Sequence, residues 1–325
     1  MKILGVCGGN GVILYPMRFD LIGNVEPRNI FYTPNQHQWN INFHPIPFYK
    51  TLPNLKEEVD VIVGAPNCGH SSILSYSRMK KLADPREDAS LTMYLQSIER
   101  YNPKVWVMEN LPKILEEITE DDFRTLFPEY KLIFHQKSVW EWGNSQKNRV
   151  RLLIIGVRRD YKQYYNLFTN VYEVNEHKTC KELAYGLEYG KNGHFREPIN
   201  SRITLYAGFK TSAEEIRDGW LRSGATRWQV EGRNFSTAPG VYRNLDNGYP
   251  NTARKANRQY NHEGLMMSPR ELARIQGVPD NFHIAFDTKI KPEGFWINKG
   301  RVTVTKCPPM EIAIWLKEIL QNIEF

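Results

Sequence analysis

Short apolar runs alternate with amphipathic segments through the first half of the chain. The mostly apolar runs are 1–6, 21–25, 59–63 and 104–108. Because a strand that is buried on both faces is apolar along most of its length, these runs predict parallel strands. Apolar residues recur at helical spacing in 91–101, so we predict a connecting helix there. Two later runs, 132–135 and 150–157, predict an antiparallel pair that completes an α/β sheet.

The pattern changes after Arg159. Residues 161–261 are polar, weakly periodic and rich in Gly, Asn, Arg and aromatic side chains, which predicts a small irregular domain. Helical signals return at Ser268-Pro269-Arg270-Glu271, where serine suits an N-cap, proline the first helical position and glutamate a capping box. We predict that the amphipathic segment 310–323 packs back onto the first block. The predicted parts are 1–160, 161–261 and 262–325.

Composition excludes fibrous and disordered proteins, because 41% of the 325 residues are hydrophobic and 24% are charged. The net charge of +7 indicates a polyanionic partner only where the positive residues cluster. No apolar run approaches the roughly 18 residues needed to cross a bilayer, so we expect a cytoplasmic protein without a membrane partner. The cysteines are scattered at Cys7, Cys68, Cys180 and Cys307, which favours free thiols in a reducing compartment.

Reactive side chains follow or precede several of the predicted strands. Cys68 lies in a loop after the third apolar run, and Glu109 follows the fourth. Arg149 and Arg151 stand at the start of the last run. Because open α/β sheets bind ligands outside the carboxyl ends of their strands, a thiol, a carboxylate and two guanidiniums at one rim predict a single site. Taken singly, each also fits a structural role as a buried thiol, a strand cap or a solvated edge.

Four blocks of the sequence together resemble the DNA cytosine-5 methyltransferases. The blocks are Gly64-Ala65-Pro66-Asn67-Cys68, Pro103-Lys104 with Met108-Glu109-Asn110, Asn148-Arg149-Val150-Arg151, and 270–280. They are similar to the family's Gly-Gly-Pro-Pro-Cys loop, Pro-Lys…Glu-Asn strand, Gln-x-Arg-x-Arg segment and Arg-Glu-x-x-Arg-x-Gln-x-Phe-Pro helix. Asn67 replaces the second proline of the first block. The glutamine of the third block falls at Lys147 or, after a one-residue insertion, at Gln146.

The resemblance implies a Rossmann-like S-adenosylmethionine-dependent methyltransferase fold, with a mixed, mostly parallel sheet and a small irregular DNA-recognition domain. It also implies methyl transfer to C5 of a cytosine flipped out of double-stranded DNA. Because C5 is a poor nucleophile, a thiolate must first add to C6, and Cys68 matches that nucleophile. By the same resemblance Glu109 holds the N3/N4 edge as an acid. Arg151, supported by Arg149, holds the O2 side and lowers the thiol pKa.

The resemblance also implies a site for S-adenosylmethionine. The expected contacts are Gly9, Asn10, Gly11, Glu26, Pro66, Thr305 and Lys306. Glycines permit close approach of the ligand after the first strand, and an acid at the end of the second strand binds the ribose hydroxyls. The chain departs from the family pattern at Gly5 and Cys7, which replace an aspartate and a phenylalanine, at Pro47, which replaces the acid at the adenine, and at Thr305, which replaces an asparagine.

These departures leave several alternatives open. The chain binds ordinary S-adenosylmethionine in a rebuilt pocket, uses a modified anionic donor balanced by Lys306, or is a base-flipping or regulatory DNA-binding protein with weak turnover. An RNA cytosine methyltransferase is a further alternative, since a tRNA-acting branch shares these motifs. The length of the basic, aromatic segment 161–261 favours DNA.

The remaining expectations concern metals, partners and origin. Neither His70 nor the other histidines show metal-ligand spacing, so no metal site is expected. We expect a monomer of bacterial or phage origin. A cognate restriction endonuclease, as in restriction-modification systems, is a candidate partner.

Overall fold

The computed structural model describes only part of the chain. The described residues are 1–27, 36, 38–67, 88–146, 149–171, 174, 176–185, 188–189, 196–197, 241–243, 250, 258–260, 269–282 and 307–325. The chain forms two compact units, of which the first comprises Met1–Trp142, Val150–Glu173 and Ile312–Phe325. The second comprises Gly143–Arg149 and Val174–Glu311. The three-part division expected from the sequence stays a prediction, and most of 161–261 lies outside the described residues.

Within the described residues, the first unit contains a seven-stranded sheet. Its strands are β1 (Ile3–Val6), β2 (Leu21–Val25), β3 (Phe48–Tyr49), β4 (Val61–Gly64), β5 (Val105–Asn110), β6 (Tyr130–Ser138) and β7 (Val150–Arg158). They lie in the order β3-β2-β1-β4-β5-β7-β6. Neighbours among β1 to β5 are parallel, whereas β7 is antiparallel to both β5 and β6. The predicted mixed, mostly parallel sheet is therefore confirmed.

Besides the shifted ends of β1, β4, β6 and β7, two strands depart from the sequence prediction. Strand β5 continues through Glu109 and Asn110, because the antiparallel β7 pairs with both of them, opposite Leu153 and Leu152. Glu109 is thus part of the strand and does not follow it. Strand β3 was not predicted, since its two residues are too few to show any periodicity.

The strand order places the candidate site. Strand β1 lies between β2 and β4, and the chain builds the sheet outward from β1 first through β2 and β3 and then through β4 and β5. The direction of winding therefore changes between β1 and β4. Open α/β sheets bind ligands in the crevice beyond the carboxyl ends of the strands at such a switch point.

One face of the sheet packs against two helices of the first unit. These are α1 (Ala89–Tyr101) and α2 (Glu120–Leu126). Helix α1 buries Leu91, Tyr94 and Ile98, which recur at helical spacing and belong to the same hydrophobic cluster as Trp106 of β5. Burial of each such side chain stabilises the fold by about 1.5–3 kcal/mol. Helix α1 begins at the N-cap Asp88, whose side chain accepts the Ser90 N–H.

Further α-helices among the described residues are α3 (Cys180–Ala184), α4 (Pro269–Ile275) and α5 (Met310–Leu320). Helix α4 begins at Pro269, as predicted, while the predicted N-cap Ser268 lies outside the described residues. Helix α5 ends at Leu320, three residues earlier than predicted. In the first unit, the Trp315 ring lies edge-on to the rings of Trp142 and His135, with centroids 6.4 Å and 5.9 Å away.

The second unit contributes two small sheets. Strand β8 (Glu188–Tyr189) is antiparallel to β9 (Arg196–Glu197), and β10 (Val241–Arg243) is parallel to β11 (Arg258–Tyr260). Among the described residues, no helix combines the length and apolar character that a membrane span requires. In the same part of the chain, no three His, Cys, Asp or Glu side chains are grouped as ligands for a metal ion.

Candidate active site

Two of the predicted base-side residues form a buried ion pair. Glu109 on β5 lies opposite Leu153 of β7, so Arg151, two residues before Leu153 in β7, lies on the same face of the sheet. The Arg151 Nε donates to Glu109 Oε1 at 2.8 Å, and the two side chains are only 15% and 9% exposed. A charge-assisted bond of this kind fixes the direction of the carboxyl group. The sheet therefore holds a carboxylate and a guanidinium together at the carboxyl end of β5.

Arg149 bonds to other residues, which lie in the second unit with it. Its guanidinium is buried, with Nη2 donating to the Cys307 carbonyl oxygen at 2.8 Å. Its Nη1 approaches Gln146 Oε1 at 3.5 Å. Arg149 thus fastens its own segment to the chain at Cys307, directly after the expected cofactor contacts Thr305 and Lys306, which lie outside the described residues. Its expected support of Arg151 stays a prediction.

Gln146 links two of the sequence motifs within the second unit. It is fully buried, and its amide Nε2 donates to Gln276 Oε1 at 3.0 Å and to Asn144 Oδ1 at 2.9 Å. The Asn144 amide in turn donates to the carbonyl oxygen of Ile275 in α4 at 2.9 Å. The segment before Arg149 is therefore bonded to the end of the Arg-Glu-x-x-Arg-x-Gln helix. Lys147, the other candidate for the motif glutamine, lies outside the described residues.

The chain is anchored on two sides where it enters the Cys68 loop. Cys68 itself lies outside the described residues, which end at Asn67. The Asn110 amide donates to the Pro66 carbonyl oxygen at 3.3 Å. The Asn67 N–H donates to Ser90 Oγ at 2.9 Å, and its amide donates to Asp88 Oδ2 at 3.2 Å. The carbonyl of Pro66, an expected cofactor contact, is thus held by the neighbour of Glu109.

Asp88, Ser90 and Asn110 were not identified as site residues from the sequence. Asn110 stood in a quoted motif, but nothing in the sequence showed its contact with Pro66. The only available signal for Asp88 was its place before a helix-forming segment, which is typical of an N-cap.

Three of the predicted donor-side residues, Gly9, Asn10 and Gly11, form a tight turn after β1. Gly9 has a φ of +57°, and no atom of another described residue lies within 4 Å of the position that its Cβ would occupy. Gly9 therefore faces open space in a backbone conformation that favours glycine. The turn is closed by the Gly11 N–H, which donates to the Gly8 carbonyl oxygen at 2.9 Å. The side chain of Asn10 is directed inward and accepts the Val12 N–H at 3.4 Å.

Glu26 stands directly after β2, beside this turn in the strand order. The residue is buried, and its N–H donates to the Tyr49 carbonyl oxygen of β3 at 2.9 Å. Next to the turn, Asn24 Oδ1 accepts the Gly8 N–H at 3.3 Å, while its Nδ2 has no hydrogen-bond partner among the described residues. A glycine turn facing open space and a buried acid at the ends of adjacent parallel strands fit a nucleoside-bearing cofactor. Pro47 contributes its carbonyl oxygen to the Asn24 N–H at 3.0 Å.

Comparison with known proteins identifies the family. The C-5 cytosine-specific DNA methylase profile matches residues 25–294. No curated protein matches the chain at a significant level. A candidate DNA modification methyltransferase encoded within an E. coli prophage has a similar solved structure, with a TM-score of 0.69, 15% identity and coverage of 99% of both chains.

Two eukaryotic structures are also similar. The Entamoeba histolytica methyltransferase EhMeth aligns with a TM-score of 0.63 at 14% identity, covering 99% of this chain and 98% of the other. A mutant of Spodoptera frugiperda DNMT2 aligns with a TM-score of 0.61 at 13% identity, covering 99% of both chains. At these identities the solved structures show a shared Rossmann-like methyltransferase fold, and the profile, which matches most of the chain, shows the family. The chain belongs to the C-5 cytosine-specific DNA methylase family.

Proposed function

We propose that the protein transfers a methyl group from S-adenosylmethionine to C5 of a cytosine in double-stranded DNA. The observation that carries this proposal is the ion pair between Glu109 and Arg151, at the strand end whose next residue, Asn110, anchors the entry to the Cys68 loop. Family membership supports the same reaction. The cytosine is flipped out of the duplex, because its ring is inaccessible inside the base stack.

The chemistry on the cytosine ring begins at Cys68. Its thiolate adds to C6, forming a C–S bond, and the ring electrons move toward C5 and N3. Glu109 donates a proton or a hydrogen bond at N3 and so stabilises the charge that develops there. C5 would then take the methyl group from the donor, whose sulfur leaves as a neutral thioether. Loss of the C5 proton to a base expels the Cys68 thiolate, and return of any N3 proton to Glu109 restores the neutral aromatic ring. No net oxidation occurs.

Arg151 fixes the acid and contributes positive charge. Its bond to Glu109 Oε1 sets the rotation of the carboxyl group, so the other oxygen has a defined direction. A positive charge beside the pyrimidine also favours the electron-rich ring that follows thiolate addition. These roles need no movement of either strand, because both side chains project from paired backbone in β5 and β7.

The donor residues fit the family's cofactor. Gly9, Asn10 and Gly11 would contact it through the turn after β1, and Glu26 would bind its ribose hydroxyls at the end of β2. Pro66, Thr305 and Lys306 complete the proposed set. When bound, S-adenosylmethionine supplies an electrophilic methyl group on a positively charged sulfur.

The test is transfer of a labelled methyl group to matched nucleic acids. We expect incorporation into double-stranded DNA and, after digestion, recovery of the label as 5-methylcytosine. A tRNA substrate and a duplex without cytosine serve as controls. Label in RNA alone, or no label in any substrate with donor and protein in excess, would overturn the proposal.

A further inference from the structure

Asn67 makes two hydrogen bonds that proline, the family's residue at this position, cannot make. Its backbone N–H donates to Ser90 Oγ at 2.9 Å, and proline has no N–H. Its side-chain amide donates to Asp88 Oδ2 at 3.2 Å. Both acceptors belong to the start of helix α1, and Asn67 directly precedes Cys68 in the chain.

The acceptors are themselves held in place. Asp88 and Ser90 are 8% and 1% exposed, so little solvent competes for their bonds. Asp88 Oδ1 accepts both the Ser90 N–H, at 2.9 Å, and the Ser90 hydroxyl. Because the hydroxyl donates to Asp88, its oxygen lone pairs point elsewhere and can accept the Asn67 N–H. The three residues therefore form one connected hydrogen-bond network.

The same network is fastened to the end of β1. The Cys7 thiol donates to the Ser90 carbonyl oxygen at 3.2 Å, and the Cys7 N–H donates to the Val25 carbonyl oxygen at 2.7 Å. Cys7 and Asn67 are both positions at which the sequence departs from the family pattern. The two departures thus meet at Ser90, which joins the donor-side turn to the chain that enters the Cys68 loop.

We infer that Asn67 is a positioning residue, which acts with Ser90 and Asp88 to hold the backbone that leads into Cys68. A proline fixes its own φ without partners, whereas asparagine leaves the backbone free to rotate. The two hydrogen bonds of Asn67 replace that missing stiffness with tertiary contacts. The inference rests on the proposed role of Cys68 as nucleophile. It adds the residues that position the backbone before Cys68.

The first experiment compares steady-state kinetics of variants on double-stranded DNA. Asn67→Ala and Ser90→Ala are each expected to lower kcat by about tenfold or more, with KM for DNA unchanged, because misplacing a reacting group slows chemistry without weakening binding. Ser97→Ala is the matched control, since Ser97 is a buried serine on the same helix whose hydroxyl donates to the Tyr94 carbonyl oxygen at 2.6 Å, one turn away. Equal kcat values for Ser90→Ala and Ser97→Ala would overturn the inference.

A double substitution distinguishes the hydrogen bond between Asn67 and Ser90 from a general role of Ser90 in folding. Asn67→Pro restores the stiffness without the N–H, so we expect its kcat to exceed that of Asn67→Ala. In the Asn67→Pro background, Ser90→Ala is expected to cost no more than Ser97→Ala, because the bond to Ser90 Oγ is already absent. If Ser90→Ala costs as much in that background as in the wild type, Ser90 acts through other contacts and the inference is wrong.

Amide hydrogen exchange tests the hydrogen-bond network of Asn67, Ser90 and Asp88 without a measurement of catalysis. The Asn67 amide is expected to exchange about tenfold faster in Ser90→Ala than in wild type, and at the wild-type rate in Ser97→Ala. If the wild-type protein methylates no DNA but the variants show this exchange pattern, the proposed function is contradicted and the positioning role of Asn67 is supported. If methylation is normal but the Asn67 amide exchanges no faster in Ser90→Ala than in wild type, the proposed function is supported and the positioning role of Asn67 is contradicted.

Discussion

Glu109 and Arg151 are joined across two strands of opposite direction, with 2.8 Å between Arg151 Nε and Glu109 Oε1. Strand β5 ends at the rim of the sheet at which open α/β folds bind ligands, whereas β7 begins there because it is antiparallel to β5. Because β7 runs in the opposite direction, Arg151 near its beginning lies beside Glu109 near the end of β5. This relationship underlies the proposed chemistry on the cytosine ring.

Replacement of Arg151 tests whether that pair serves catalysis. Arg151→Ala is expected to lower kcat by about a hundredfold, because it removes the group that orients and charges the site around Glu109. The kcat of Arg151→Lys should lie between those of the wild type and Arg151→Ala, since an ammonium keeps the charge but not the planar donor geometry. Arg158→Ala, at the other end of β7, is the control. If Arg151→Ala and Arg158→Ala have the same kcat, the pair is only structural.

Replacement of Glu109 tests the acid. Glu109→Gln keeps the shape of the side chain and an acceptor for Arg151, but its amide cannot exchange a proton with cytosine N3. We expect methyl transfer to fall by a factor of 10² to 10⁴ while DNA affinity stays at the wild-type value. Methylation kinetics and equilibrium binding of a cytosine duplex measure the two quantities, with exposed Glu116→Gln as control. Loss of binding in parallel with activity would contradict an acid role.

Gly277 is predicted to be essential for the stability of the second unit. It follows helix α4 with a φ of +71°, where the Val278 N–H donates to the Ala273 carbonyl oxygen at 2.9 Å in a Schellman motif. A Cβ on Gly277 would lie 2.4 Å from the carboxylate atoms of Glu311. Gly277→Ala should therefore cost about 2 kcal/mol or more, of which about 1–2 kcal/mol is left-handed strain.

Gly9→Ala provides the comparison for this substitution. Gly9 has a similar φ of +57° but open space at its Cβ position among the described residues, so only the strain remains. Urea unfolding of both variants gives the difference directly. Equal losses of unfolding free energy would show that the contact with Glu311 contributes nothing.

Glu311 is predicted to make stability depend on pH. Burial raises the pKa of its carboxyl group from 4.5 to about 7, although the Asn144 amide, which donates to Oε2 at 2.9 Å, opposes the rise. The folded state therefore holds a proton that the unfolded state releases, so the contribution of Glu311 to stability is full below about pH 4.5 and is lost as pH rises to about 7. The loss amounts to roughly 3 kcal/mol at most.

Glu311→Gln removes this titration and keeps an oxygen for Asn144. Relative to the wild type, the variant should gain unfolding free energy between pH 5 and pH 8. Chemical denaturation at each pH measures the difference. A difference between the two proteins that is the same at every pH would contradict the assignment of the titration to Glu311.

The sequence predicted the sheet and the Glu109 side of the site because both depend on local patterns. Mostly apolar runs identify buried strands, and a carboxylate at the end of one lies at the rim of the sheet. Contacts between segments distant in the chain were out of reach. Asn110 meets Pro66 and Asn67 meets Ser90 only after β4, β5 and α1 have packed, and no local pattern encodes these pairs.

Periodicity also could not predict the partners of Arg149 and Arg151, because these depend on contacts made in the fold. Arg149 and Arg151 alternate along the sequence and read as one face of a strand. In the fold Arg151 bonds to Glu109, while Arg149 bonds to the Cys307 carbonyl oxygen in the second unit. The side chain that precedes a strand is placed by its loop, and loop contacts are tertiary.

Trapping with 5-fluorocytosine tests the central claim most directly. Fluorine at C5 cannot leave as a proton does, so the Cys68 thiolate cannot be expelled after methyl transfer and the protein stays bonded to the duplex. With S-adenosylmethionine present, the account predicts a denaturant-resistant adduct of one protein and one duplex, mapped by peptide mass spectrometry to Cys68 and absent in Cys68→Ala. A protein that binds the duplex and the donor but forms no adduct, or forms it in Cys68→Ala, would contradict the account.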